Sequence, residues 1–219
     1  MTTSLAFLGG TGDQGRGLAR RFALAGHPIL IGSRSVERAS AAASELAGGL
    51  PAGVDVRGVT NLAAAQEADV VVVAVPWEGH GALLGDVAAA LAGKIVIDCV
   101  NPLGFDAQGA FALPVAEGSA AEQAAALLPD SRVVAAFHHV SAVLLLDPAV
   151  DLLDTDVLVL GDDRDATDTV QALVDEIPGM RGVYAGRLRN AGQVEALTAN
   201  LISVNRRYKA HAGLRVTDV

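Results

Sequence analysis

Gly10, Gly12 and Gly15 lie in the stretch FLGGTGDQGRG at the spacing G-x-G-x-x-G. They follow the apolar run LAFL and precede an alanine-rich segment of helical character, which is the setting a dinucleotide-binding loop requires. The chemistry is anion binding. One glycine makes the turn, one lets the backbone approach a pyrophosphate, and one lets the helix pack on the strand, while the helix N-terminus faces the negative charge. The intervening Thr11, Asp13 and Gln14 are grouped with the glycines as cofactor-binding candidates.

Gly9, Gly12 and Gly15 also satisfy G-x-x-G-x-x-G, the spacing of short-chain dehydrogenases, and the loop by itself does not choose. The end of the next apolar run, HPILIG, says more. An NAD site would carry an acid about 20 residues beyond the glycines for the ribose hydroxyls. Here the run ends in Ser33-Arg34, with Arg38 shortly after. A hydroxyl and guanidinium groups suit a 2′-phosphate, which arginine grips with paired hydrogen bonds, so NADP is expected over NAD.

Groups for proton chemistry are scarce. The lysines are Lys94 and Lys209, and neither Tyr184 nor Tyr208 has a lysine four residues on. Lys94 opens an apolar run, where a structural role is expected. Reduction of an alcohol or ketone would want an acid or base, so the expected acceptor of a hydride is one that needs little proton transfer. His138 is the candidate for any catalytic side chain. His138-His139 has no partner at metal-ligand spacing, and no metal is expected.

The elements that must position these residues read as an alternation. Strands are expected at SLAFLG, HPILIGS, VDVRGV, DVVVVAVP, KIVIDCV and RVVAAFH, with helices at Gln14–Ala25, Val36–Leu46, Gly81–Leu91 and near Ala120–Leu128, and a glycine-rich loop after KIVIDCV. Near-continuous apolar strands separated by helices predict a parallel sheet covered on both faces, an α/β Rossmann-type doubly wound fold. Beyond Leu146 a strand at DVLVLGD, a helix at Arg164–Glu176, a strand at MRGVYAG and a helix at Asn190–Ala210 form either the last strands of the sheet or a small lobe. The expected division is 1–147, an NADP-binding domain, and 148–219, a small C-terminal extension that completes the cleft.

Ligands of such sheets lie beyond the carboxyl ends of the strands. Three segments sit there: Val75-Pro76-Trp77, Asn101-Pro102-Leu103, and His138 to Ala142, which includes Val140. Together they would form one apolar wall for flat rings stacked at hydride-transfer distance, about 3–3.5 Å. Each also has a plainer account: proline ends strands, Trp77 fits a core, and His138 fits a carbonyl cap.

Composition excludes other classes. The 219 residues are 51% hydrophobic with a formal net charge of −9, against a broad nucleic-acid or anionic-membrane surface. Apolar runs fall short of the roughly 20 residues of a membrane span. The N-terminus lacks the pattern of a signal peptide, and Cys99 is the only cysteine, so a cytoplasmic protein is expected.

LGGTGDQGRGLA, IGSRSVERA, VVVAVPWEGH, the histidine loop, LVLGDD and RLRNAGQVEALTANLISVN together resemble the NADPH-dependent reductases of the deazaflavin coenzyme F420, across nearly the whole chain. The resemblance implies reversible hydride transfer between NADPH and coenzyme F420, with the rings face to face in a cleft of a homodimer. It implies that Thr11, Ser33, Arg34 and Arg38 bind the NADP phosphates, that Pro76 borders the nicotinamide, and that His138, Val140 and Ala142 lie along the deazaflavin. Archaeal members carry a Thr-Ile-Pro-Ala type loop after the first histidine, where this chain has His139-Val140-Ser141-Ala142 and lacks the proline. The coenzyme's anionic tail implies a second basic patch, for which Arg187, Arg189, Arg206, Arg207, Lys209 and Arg215 are candidates, a solvated helix end being the alternative. Val194, Leu197, Leu201 and Val204 on the last helix are a candidate dimer seam, or ordinary core. Rival readings are a non-catalytic NADP sensor and a reductase of a flavin, ferric iron or a cyclic imine.

Overall fold

A computed structural model describes residues 2–219. Six strands, β1 (Leu5–Leu8), β2 (Ile29–Ser33), β3 (Val56–Thr60), β4 (Val70–Val73), β5 (Ile95–Asp98) and β8 (Arg132–Ala135), pair in parallel in the order β8-β5-β4-β1-β2-β3. Two more, β9 (Thr155–Gly161) and β10 (Met180–Gly186), extend the same sheet beyond β8. They are parallel to each other, but β9 meets β8 antiparallel. The segment after Leu146 therefore supplies the sheet's last strands, running opposite to the rest.

Every strand of the parallel core except edge strand β3 is buried almost throughout, because helices cover both faces. Along β1 the side chains alternate: Leu5 and Phe7 pack with α1 (Asp13–Leu24) and α2 (Val36–Gly48), while Ala6 and Leu8 face α3 (Asn61–Glu67) and α4 (Trp77–Leu91). This two-sided burial is why the strands read as unbroken apolar runs. α7 (Arg164–Asp175) joins the first layer, and α5 (Ala120–Leu127) and α8 (Ala191–Tyr208) the second. α4 starts four residues earlier than the sequence suggests, because Pro76, at φ −57°, serves as its N-cap residue. The expected glycine-rich loop after β5 is an antiparallel hairpin, β6 (Leu103–Asp106) and β7 (Gly109–Ala112), turned by Asp106 accepting the Gln108 and Gly109 amides. A short helix, α6 (Ala142–Leu146), follows β8. Buried Arg21 of α1 donates to the carbonyls of Leu144, Leu145, Asp147 and Val150, anchoring the chain beyond α6.

Lys94 is structural: its Nζ donates to the carbonyls of Ala65, Gln66 and Ala68 at 2.6–2.8 Å, capping α3. The C-terminal tail is pinned to β9 and β10 through Asp156, which accepts from Arg181, Arg215 and the Val216 amide. The Arg181 guanidinium holds the Asp156 carboxyl well below the usual carboxylate range. No helix among the described residues is long and apolar enough to cross a membrane.

Candidate functional site

The sheet order reverses between β1 and β4, and the glycine loop leaves β1 at that point. Space dictates glycine at three of its positions. A Cβ on Gly9, whose φ is +68°, would stand 2.2 Å from Val75 Cγ1; one on Gly10 would stand 2.6 Å from the Phe7 carbonyl; one on Gly15 would stand 2.8 Å from Gly10 Cα. Gly12 differs, since a Cβ there meets nothing closer than the Gly9 carbonyl at 3.9 Å. Gly12 fills no tight protein contact and instead keeps a space open at the N-terminus of α1, where the first-turn amides have no intrahelical acceptor. Both glycine spacings are thus used, and of the two positions they share, Gly12 is open and Gly15 is tight. Asn61 Oδ1 fixes the loop by accepting the Gly9 amide at 3.2 Å. Asp13 pairs with Arg16 at 3.0 Å, and Arg16 reaches on to Glu45 of α2 at 3.1 Å.

At the end of β2, Ser33 is buried and its Oγ accepts the Ser35 amide at 3.3 Å. Ser35 caps α2 by accepting the Arg38 amide. Arg34 and Arg38 are exposed, and neither has an ion-pair partner among the described residues. Two uncompensated cations beside a helix N-terminus are unfavourable without an anion to hold.

A cleft of about 290 Å³ runs from the loop across the strand ends, lined by Gly12, Asp13, Gln14, Ala74, Val75, Pro76, Cys99, Val100, Asn101 and His138. Residues 12–14, 75–76, 101 and 138 of the expected set are thereby brought together from four separate segments. Gly10, Thr11, Gly15, Ser33, Arg34, Arg38, Trp77 and Pro102 do not line it. Trp77 is half-buried, with its ring centroid 5.5 Å from that of His80. Val140 is packed in the core, and Ala142 opens α6; neither lines this cleft.

His138 is turned into the wall by Phe137, a non-glycine residue at φ +64°. Such a backbone costs about 1–2 kcal/mol, and burial of the Phe137 ring edge-on against Phe22 holds it there. Gln14 Nε2 donates to the Phe137 carbonyl at 3.2 Å, joining loop and wall. The His138 carbonyl receives both Asn101 Nδ2 at 2.8 Å and Thr198 Oγ1 at 3.1 Å. Its ring is buried with neither nitrogen hydrogen-bonded among the described residues, and burial lowers its pKa to about 4, so it is neutral at physiological pH. His139 is likewise lowered to about 4 by burial; its Nε2 accepts the Leu158 amide.

Beneath the wall lie three buried groups that sequence reading missed: His80 on α4, Asp98 at the end of β5, and Glu195 on α8. His80 Nε2 is 2.7 Å from Asp98 Oδ2. Glu195 accepts the amides of Ala120 and Ala121 at 2.9 and 3.2 Å, yet burial and the nearby Asp98 charge prevail and raise its pKa to about 7. An acid inside the apolar run KIVIDCV was the available signal.

Of the basic candidates in the tail, Arg215 is committed to Asp154 and Asp156, and Arg187 lies 3.8 Å from Asp162. Arg189, Arg206, Arg207 and Lys209 are exposed. On α8, Val194 and Leu201 are buried, Leu197 is half-buried, and Val204 is 37% exposed.

The strand order, the glycine loop at its reversal point, and the Ser33–Arg34 pair after β2 define a dinucleotide-binding α/β protein of the Rossmann class. Residues 4–102 match the family described as NADP oxidoreductase, coenzyme F420-dependent. The chain is 42% identical to the F420-dependent NADP reductase of Methanothermobacter marburgensis, over 98% of both proteins. It is 37% identical to that of Methanocaldococcus jannaschii, again over 98% of both. A solved structure from Arthrobacter sp. FB24, proposed to be an F420-dependent NADP reductase, superposes with a TM-score of 0.83 at 29% identity, over 98% of this chain and 99% of that one. The chain belongs to the F420-dependent NADP reductase family.

Proposed function

We propose that this protein catalyses reversible hydride transfer between NADPH and coenzyme F420: NADPH, oxidised F420 and a proton give NADP+ and reduced F420. The observation that carries the proposal is the single cleft in which the open Gly12 position, the Val75–Pro76 wall, Asn101 and His138 meet. The residues present fit the dinucleotide: the space at Gly12 and the first-turn amides suit a pyrophosphate, and Ser33 with Arg34 and Arg38, which have no ion-pair partner among the described residues, suits a 2′-phosphate. When bound, NADPH supplies hydride from nicotinamide C4 and the deazaflavin accepts it at C5.

The chain's own work is placement and exclusion of water. Pro76 and Val75 give an apolar edge for the nicotinamide, and His138, Val140 and Ala142 belong to the deazaflavin side, Val140 and Ala142 by way of the loop backbone. Neutral His138 supplies no proton at physiological pH, so proton uptake at the deazaflavin falls to solvent. Region 148–219 acts with 1–147 by clamping the His138 carbonyl through Thr198. Homodimerisation through α8 would use exposed Val204 and Tyr208 with half-buried Leu197 beside them. Exposed Arg189, Arg206, Arg207 and Lys209 are the cations left for an anionic tail. A single buried thiol suits a reducing cytoplasm.

The test is a cuvette assay of purified protein with NADPH and oxidised F420, with NADH and FMN as controls. Loss of both chromophores, specific to NADPH and the deazaflavin, is expected. Tight NADPH binding without turnover of F420 would overturn the proposal and return the chain to the NADP sensors or to another acceptor.

A further inference from the structure

Under the cleft the polar contacts form a closed circuit that phosphate binding and ring stacking leave unexplained. His80 Nε2 meets Asp98 Oδ2 at 2.7 Å, and its Nδ1 meets Gln123 Oε1 of α5 at 2.9 Å. The orientation of Gln123 is set by its Nε2, which donates to Glu117. Both neighbours of the imidazole therefore accept, and His80 donates from both nitrogens as an imidazolium. Asp98 uses Oδ1 to accept the Val100 amide at 3.0 Å. The next residue, Asn101, holds the His138 carbonyl, which Thr198 of α8 holds from the other side. One turn earlier on α8, Glu195 accepts the amides that begin α5, and α5 carries Gln123. The circuit returns to its origin.

Beyond the β4–β5 ladder, which ends with the Cys99 amide and thiol on the Val73 carbonyl, the two walls of the cleft are joined by one bond of this circuit. His80 lies one helical turn beyond Pro76 on α4, so it moves with the Val75–Pro76 wall. Asp98 precedes Val100 and Asn101, the facing wall. Both side chains are fully buried, so neither can touch a ligand in the cleft. A buried pair of this kind adds little net stability over apolar residues of the same volume, so stability is a weak reason for it.

We propose that the His80–Asp98 pair is a positioning device, fixing the separation of the Val75–Pro76 and Val100–Asn101 walls and thereby the distance over which hydride is transferred. The proposal rests on the hydride-transfer function above. Reacting atoms must come within about 3–3.5 Å, and a misplacement of about 1 Å can cost on the order of 100-fold in rate.

Three proteins test it: wild type, His80→Gln, and the double variant His80→Leu with Asp98→Asn. Glutamine places an amide nitrogen where Nε2 stood and keeps the link to Asp98. The double variant cuts the link without leaving an unpaired buried charge at the end of β5, and the asparagine side-chain oxygen can still accept the Val100 amide. Trp77, the only tryptophan, sits on the wall beside His80 and reports its packing with no ligand present. In the double variant the Trp77 emission should shift to the red. NADP+ affinity should stay within about 3-fold, because Gly12, Ser33 and Arg34 are untouched, while kcat falls on the order of 100-fold. The deuterium isotope effect on kcat with 4-deuterated NADPH should rise. His80→Gln should recover most of kcat and the wild-type emission. A double variant with unchanged kcat and isotope effect overturns the positioning role, as does a His80→Gln variant that keeps the wild-type Trp77 emission yet loses as much kcat as the double variant. An inactive wild type would instead sink the proposed function.

Discussion

The two sides of the cleft are built on opposite plans. The glycine-loop side comes from one continuous stretch, Gly9 to Arg38, and presents unused capacity: first-turn amides, an open position at Gly12, and cations without partners among the described residues. The histidine side draws on α4, β5, α5, the loop after β8, and α8, and apart from the His138 ring, His139 Nδ1 and Asn101 Oδ1 its buried polar groups are taken up by one another. The difference teaches that holding a phosphate is a local task, whereas holding two rings at a fixed spacing requires contacts between distant parts of the fold.

The contrast predicts that pH acts through the histidine side. Glu195 ionises near 4.5 when unfolded and at about 7 when folded. The fold favours its protonated form, so the stability it adds is full below about 4.5 and is lost as pH rises to about 7, a change of about 3 kcal/mol. His138 and His139, lowered to about 4, act in the opposite sense, gaining stability as pH rises from about 4 to the ordinary 6.5. Glu195→Gln should unmask that rise in urea melts between pH 4.5 and 7.5; a profile identical to wild type would remove Glu195 from the account. The glycine side should respond through ligand instead. Gly12→Ala should leave unfolding unchanged and weaken NADPH binding about 100-fold, or about 2.7 kcal/mol. Gly15→Ala, whose Cβ meets backbone, should destabilise the fold itself by about 1–3 kcal/mol. If both glycine variants lose stability equally, Gly12 is not a ligand position. Arg34→Ala should cost about 2 kcal/mol in NADPH affinity and leave NADH affinity nearly unchanged, both read by titration; equal losses would refute the 2′-phosphate assignment. The smallest effect belongs to Arg206 and Arg207. Neutralising both should raise the F420 KM by an amount worth less than about 1 kcal/mol, fading with added salt; an unchanged KM leaves them as charges suited to the C-terminal end of α8.

The same contrast decided what the sequence could reveal. The parallel strands were legible because burial on both faces makes each an apolar run, and the phosphate side because its residues are neighbours in the chain. The reversed direction of β9 was not, since a strand's composition carries no sign of which way it runs. The β6–β7 hairpin was read as loop although Asp106 and Gly109 mark its turn, and α6 spans only five residues. Arg21 lies within an expected helix and His80 just ahead of another, and neither was singled out, although both are buried. Their roles depend on carbonyls more than 120 residues away in one case and on an acid 18 residues away in the other.

Cys99 borders the cleft, donates its thiol hydrogen to the Val73 carbonyl at 3.0 Å, and is pushed up in pKa by burial. A thiol kept protonated and covered is a poor nucleophile toward alkylating reagents. Because it is the chain's only sulfhydryl, its modification rate acts as a one-site clock: maleimide should mark the native enzyme slowly and each transiently opened molecule at once, counting excursions of the central sheet without any engineered label.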